Sequence, residues 1–137
     1  MKAGIRTYLL ALPAIATAIG TKIYSFPAPQ DVAKPYIMLS RITGEIQNLI
    51  GSSLNIYNET WQIDIISNTD SEAETIKELV IGRLNIADRV EMGSYTVYSC
   101  SLNNIIENTD LEMTGGETSD IRKTLEFGFI RDRTATT

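Results

Sequence analysis

The stretch Ile56-Tyr-Asn-Glu-Thr-Trp61-Gln-Ile-Asp-Ile65-Ile-Ser67, running through Asn68-Thr-Asp-Ser71 into Glu72-Ala-Glu-Thr-Ile76-Lys-Glu-Leu-Val80-Ile-Gly-Arg-Leu84, decides the fold. Its first half alternates. Trp61, Ile63 and Ile65 fall on one side and Gln62, Asp64 and Ile66 on the other, the period of a strand with one apolar face. Its second half changes period: Ala73, Ile76, Leu79, Val80, Leu84 and Ala87 form a stripe at helical spacing, with Lys77, Glu78 and Arg83 on other faces. This predicts a helix over about 72–87. Asn68-Thr-Asp-Ser71 supplies its N-cap candidates, and Glu72 and Glu74 suit the positive end of its dipole.

Working outward from this unit, the pattern before it predicts two short helices. One carries Ile5, Tyr8, Leu9 and Leu12; the other spans 13–19, is separated by Pro13 and closes at Gly20, a natural C-cap. Lys2 and Arg6 ahead of an apolar run have the outline of a signal peptide. Pro13 interrupts that run, and it is too short to span a bilayer. A β-like run at Lys22–Phe26, a loop to Pro35 and a strand at Tyr36–Thr43 follow. Residues 46–55 read as a polar loop that nevertheless carries Ile46, Leu49, Ile50 and Leu54, and aliphatic side chains in a loop point either to a partner surface or to packing back on their own domain.

After the helix, a turn at Glu91-Met-Gly93 leads to a strand over 94–106. Residues 107–119 read as an acidic hairpin loop holding Glu107, Asp110, Glu112 and Glu117. A last strand from about Asp120 to Arg131 puts Leu125, Phe127 and Phe129 on one face. The expected fold class is α+β: a mainly antiparallel sheet of four to five strands, with one long helix packed on it and short N-terminal helices. The expected core is Trp61, Ile63, Leu79, Leu84, Leu125 and Phe127, and residues 1–137 read as a single domain.

Composition narrows function more than motifs do. With 43% hydrophobic and 21% charged residues the chain is an ordinary globule. A net charge of −5, a pI near 4.7 and scattered basic residues argue against a protein that grips phosphates, so no sequence-specific nucleic acid is expected. Arg122, Lys123, Arg131 and Arg133 read as strand-face and tail charges. The chain has no histidine, which removes Ser-His-Asp and Cys-His catalysis and the common zinc sites. Cys100 is single and reads as a small buried strand residue. No phosphate-binding or nucleophile-elbow motif is present, and the acidic loop lacks the spacing of an EF-hand. The expectation is a protein that is not an enzyme, with no catalytic residues, no cofactor, no metal and no membrane partner.

Three stretches carry a family resemblance. Leu12-Pro13-Ala14-Ile15, Ile19-Gly20-Thr-Lys-Ile-Tyr24, Pro27-Ala28-Pro29-Gln30 and Pro35-Tyr36-Ile37 make the first. Trp61-Gln62-Ile63-Asp64 followed by the Ala73–Leu84 helix makes the second, and Arg122-Lys-Thr-Leu-Glu-Phe-Gly-Phe129 the third. In this order they resemble the tail-completion proteins of tailed bacteriophages. The resemblance implies a structural virion protein of the tail or neck, assembled in the host cytoplasm, whose copies form a ring of about six. It further implies that the ring caps the tail tube, stops its growth and joins it to a head-side neck or connector protein. On that reading Ile46, Leu49, Ile50 and Leu54 are candidate assembly contacts, while Glu107, Asp110, Glu112 and Glu117 face the channel or a partner. Another head-tail connector ring is the rival of the same kind, and a small secreted ligand-binding protein the rival of a different one.

Overall fold

The structure, a computed structural model, describes residues 2–27, 29, 32–49, 52–110 and 120–132; residues 43–49, 52–56, 108–110 and 120 are described by their backbone alone. Three helices and six strands follow in the order α1 (Lys2–Leu10), α2 (Pro13–Ile19), β1 (Ile23–Ser25), β2 (Tyr36–Leu49), β3 (Ser52–Ser67), α3 (Asp70–Leu84), β4 (Val90–Met92), β5 (Tyr95–Asp110) and β6 (Asp120–Asp132). The strands make one sheet in the order β1-β2-β3-β6-β5-β4. It is curled and mixed. β1 runs parallel to β2 (Ile23↔Ile37), and every other pair is antiparallel.

This corrects the expected fold class. The sheet has six strands rather than four to five, one of its pairings is parallel, and the longest helix covers only 15 residues. The missed strand is β4. Three residues are too few to show an alternation, and Glu91-Met92-Gly93 reads as a turn because Gly93 is one: with φ of 62° it opens the two-residue hairpin that pairs Met92 with Tyr95. A larger correction concerns the two segments read as loops. Ile46 to Leu49 and Ser52 to Asn55 lie in β2 and β3, paired as Ile46↔Tyr57 and Leu49↔Ser52. Glu107 to Asp110 likewise lie in β5, paired down to Asp110↔Asp120. Polar residues mislead there because a strand that extends past the core has no apolar face to reveal it.

The core lies between one face of the sheet and the helices. Trp61, Ile63 and Ile65 of β3 pack with Leu125, Phe127 and Phe129 of β6, Ile37 and Leu39 of β2, and Val97 and Cys100 of β5. From the helices come Ile5 and Leu9, Ile15 and Ile19, and Ala73, Ile76, Val80 and Leu84. The N-terminal segment is therefore core, with Pro13 at the first turn of α2 and the N–H of Gly20 (φ 67°) closing its end on Ala16 O at 2.8 Å. Thr69 caps α3, its hydroxyl accepting from Glu72 N at 3.2 Å.

Two assignments on α3 move. Leu79 is only partly buried, and Ala87 is exposed beyond the end of the helix, whereas Lys77 lies on the buried face. The stripe is thus 73-76-77-80-84, in which a lysine occupies an apolar position. Trp61 is buried, and its indole N–H meets no acceptor among the described residues, so what it adds is packing.

Candidate assembly surfaces

The inner face of β6 is the axis from which the two ends of the sheet are built. Its inward residues run Ile121, Lys123, Leu125, Phe127, Phe129, Arg131, all buried: an aliphatic and aromatic centre with a cation at each end. From sequence both cations are expected as strand-face and tail charges; the structure buries them. Their signal was the period of two that they share with Leu125, Phe127 and Phe129.

At the β2–β3 end Arg131 makes a fork on Glu59, Nε donating to Oε1 at 2.8 Å and a terminal nitrogen to Oε2 at 3.2 Å. Glu59 is 2% exposed, so the pair is desolvated on both sides. The guanidinium also lies against two rings, 4.7 Å from the Tyr57 centroid and 4.3 Å from that of Tyr95, and donates to Asp132 O at 2.6 Å. A planar donor with five N–H groups fits such a slot; a lysine would not.

The opposite end is built differently. Lys123 Nζ lies 3.1 Å from Asp70, 3.0 Å from Glu74 and 3.0 Å from Glu107. Lys77 Nζ reaches Glu74 at 2.8 Å and the same Glu107 oxygen at 3.0 Å. Here the cations are buried and the carboxylates are wet. Burial alone would lower the Lys123 ammonium, but hydrogen bonds to Glu107, Glu74 and Asp70 outweigh it and leave the pKa raised. Lys77 is raised chiefly by Glu74, and Glu74 and Glu107 are both lowered, first by Lys77 and then by Lys123. The network ties the start of α3 to the far ends of β5 and β6.

Of the candidate contact residues, Ile46, Leu49 and Leu54 fall on the β2–β3 hairpin, and Ile50 lies outside the described residues. Among the described residues that hairpin projects: β3 pairs with β6 as far as Ile56↔Asp132, while β2 and β3 continue to Leu49↔Ser52. Of the acidic candidates, Glu107 is held by Lys77 and Lys123, Asp110 ends β5, and Glu112 and Glu117 lie outside the described residues. The register puts the two candidate sets at opposite ends of the sheet, since β6 begins beside Ser67 and finishes beside Ile56. Along the strands their separation runs from about 26 Å between the levels of Glu107 and Ile46 to roughly 50 Å between those of Asp110 and Leu49, at 3.3 Å per residue.

Among the described residues no group of three or more His, Cys, Asp or Glu is placed to hold a metal ion, and burial pushes the Cys100 thiol well above its usual range, which makes it a poor nucleophile. No described helix is long and apolar enough to cross a membrane. The features define a strand-built protein whose charged groups hold the two ends of its core and whose β2–β3 hairpin, among the described residues, extends past β6.

Its family is shown by sequence. The family described as tail completion protein gp17 matches residues 3–104, from α1 through most of β5, and the chain belongs to it. It is a structural component of a phage-type virion, placed at the tail or neck. No curated protein matches the chain. Among solved structures it is similar to a chain of the virion of a native gene transfer agent particle, with a TM-score of 0.74 at 16% identity, over 96% of this chain and 94% of that one. That likeness is one of fold.

Proposed function

We propose that copies of this chain form a ring of about six that caps the tail tube, stops its elongation and provides the joint to the head-side neck. The family match over residues 3–104 carries the reading. The geometry supports it. A joint needs one surface for each neighbour, and the β2–β3 and β5–β6 ends lie at opposite ends of one sheet. In this reading the β2–β3 hairpin, with Ile46, Leu49, Ile50 and Leu54, meets the tube protein or a sister subunit. The β5–β6 end, with Glu107, Asp110, Glu112 and Glu117, faces the channel or the neck protein. Glu107 has a structural duty as well, because it neutralises Lys77 and Lys123. The chain acts without catalysis or cofactor, through closed, repeated head-to-tail contacts.

The test is a deletion of the gene in a producing strain. The reading expects full heads together with tails that do not join them, and tails of uncontrolled length if the cap sets length. Normal, joined particles would refute it.

A further inference from the structure

Two stretches of the sheet are left without a strand partner. β1 covers β2 only at residues 37–39, so among the described residues the outer edge of β2 is unpaired over 40–49. On the far side of the sheet β4 covers residues 95–97 of β5 and Ile86 bridges Cys100, after which, among the described residues, the outer edge of β5 is unpaired over 101–110. The two edges are built alike. Each starts under a short cover, passes a β-bulge (between Arg41 and Thr43 in β2, between Leu102 and Asn104 in β5) and then runs on uncovered for the same length.

A monomer is expected to blunt such edges with charged side chains (lysine above all), proline, bulges or extreme shortness. β1 and β4 are extremely short, at three residues each. Each uncovered edge, by contrast, has a bulge and a few charges (Arg41 and Glu45 in β2, Glu107 and Asp110 in β5) yet continues as strand past its bulge. The uncovered stretches, Ser-Arg-Ile-Thr-Gly-Glu-Ile-Gln-Asn-Leu and Ser-Leu-Asn-Asn-Ile-Ile-Glu-Asn-Thr-Asp, hold neither lysine nor proline. They carry exposed aliphatic residues instead: Ile42 at 45%, Ile105 at 42% and Ile106 at 40%.

We infer that the uncovered edge of β5 in one copy pairs with the uncovered edge of β2 in the next, so that the sheet continues from subunit to subunit. The occupant is a second copy of this chain because the edges complement each other in number, length and direction. Each chain offers one of each. In copies of like orientation β5 runs opposite to β2, so the junction extends the antiparallel ladder already present between β2, β3, β6 and β5. The contact is head-to-tail, the kind that repeats around a ring. It also predicts a stagger: the β2 stretch reaches toward the β2–β3 hairpin and the β5 stretch toward the opposite end. A closed ring then requires strands tilted to its axis, as in a barrel. This inference rests on the ring reading above and adds which residues join the copies.

Amide hydrogen exchange on the full chain in isolated tails or particles, compared with the free full-length subunit, tests it. The expected result is protection gained at residues 40–49 and 101–110 together, and far less at β1 and β4. Ile42→Lys and Ile106→Lys should each leave the circular-dichroism melt of the subunit unchanged while lowering its incorporation into particles by about tenfold or more. A ring whose new protection lies elsewhere, such as on the helices, would overturn the edge pairing and leave the ring standing. Particles holding a single copy would overturn both. Protection at one stretch alone would mean that a different virion protein covers it, which also defeats the pairing between copies.

Discussion

The two ends of the core solve one problem in opposite ways. Each must close a row of buried apolar residues where β6 leaves the shelter of the helices, and each does so with a cation. At Arg131 both partners are dry: the guanidinium and Glu59 are 5% and 2% exposed, fixed by a fork and two aromatic rings. At Lys123 only the cations are dry, and Asp70, Glu74 and Glu107 keep one side in water. A desolvated pair is costly to break by halves, because the survivor is left charged and buried. Wet carboxylates rehydrate when their partner goes, so the second arrangement is soft, responsive to salt and pH, and suited to an end that adjusts to a neighbour.

That contrast can be broken first at its stiff end. Glu59→Ala should cost about 3–5 kcal/mol in a denaturant titration, whereas Glu59→Leu combined with Arg131→Met should recover most of it. A loss below about 1 kcal/mol for the single change would show that Arg131 is satisfied without Glu59. Next in size is the packing between the ends: Leu84→Ala, fully buried against the sheet, should cost about 2–5 kcal/mol by the same measurement. At the soft end Lys123→Met should cost no more than about 1 kcal/mol, since the carboxylates it releases face water.

The smallest effect is one of pH. Glu74 and Glu107 have folded-state pKa values below the ordinary 4.5, so they bind fewer protons folded than unfolded. Their contribution is complete above that value and is lost as pH falls through the lower folded values. Lys77 and Lys123 are raised above 10.5, so theirs is complete below it and is lost as pH climbs through the raised values. Melting curves across the acid range should show a gentle decline that Glu107→Gln flattens and that high salt reduces. An unchanged slope in Glu107→Gln would remove this carboxylate from the network.

Much of the centre was legible in the sequence, and the ends were not. Trp61-x-Ile63-x-Ile65 and Leu125-x-Phe127-x-Phe129 announce their strands because one face is apolar, and α3 announces itself by its stripe and its Thr69 cap. Past the core that contrast fades. Gln47, Asn48 and Asn55 are no less polar in a projecting strand than in a loop, so a hairpin was read as a loop carrying four aliphatic residues. Lys77, Lys123 and Arg131 read as solvent-facing because a lone cation in a strand or helix pattern does not name its partner. Their partners, Glu59, Asp70, Glu74 and Glu107, are brought to them by register and by the fold-back of α3. The family resemblance covers what periodicity could not, and the family match over residues 3–104 spans the N-terminal helices and the β3–α3 unit.

The most direct test of the central claim is a reconstruction of the tail-neck junction of the virion, at a resolution that traces this chain. The account predicts a closed ring of about six copies seated on the last ring of the tube, one hairpin end of each subunit toward the tube and the other toward the neck. A single copy, or a location away from the head-proximal end of the tail, would contradict it.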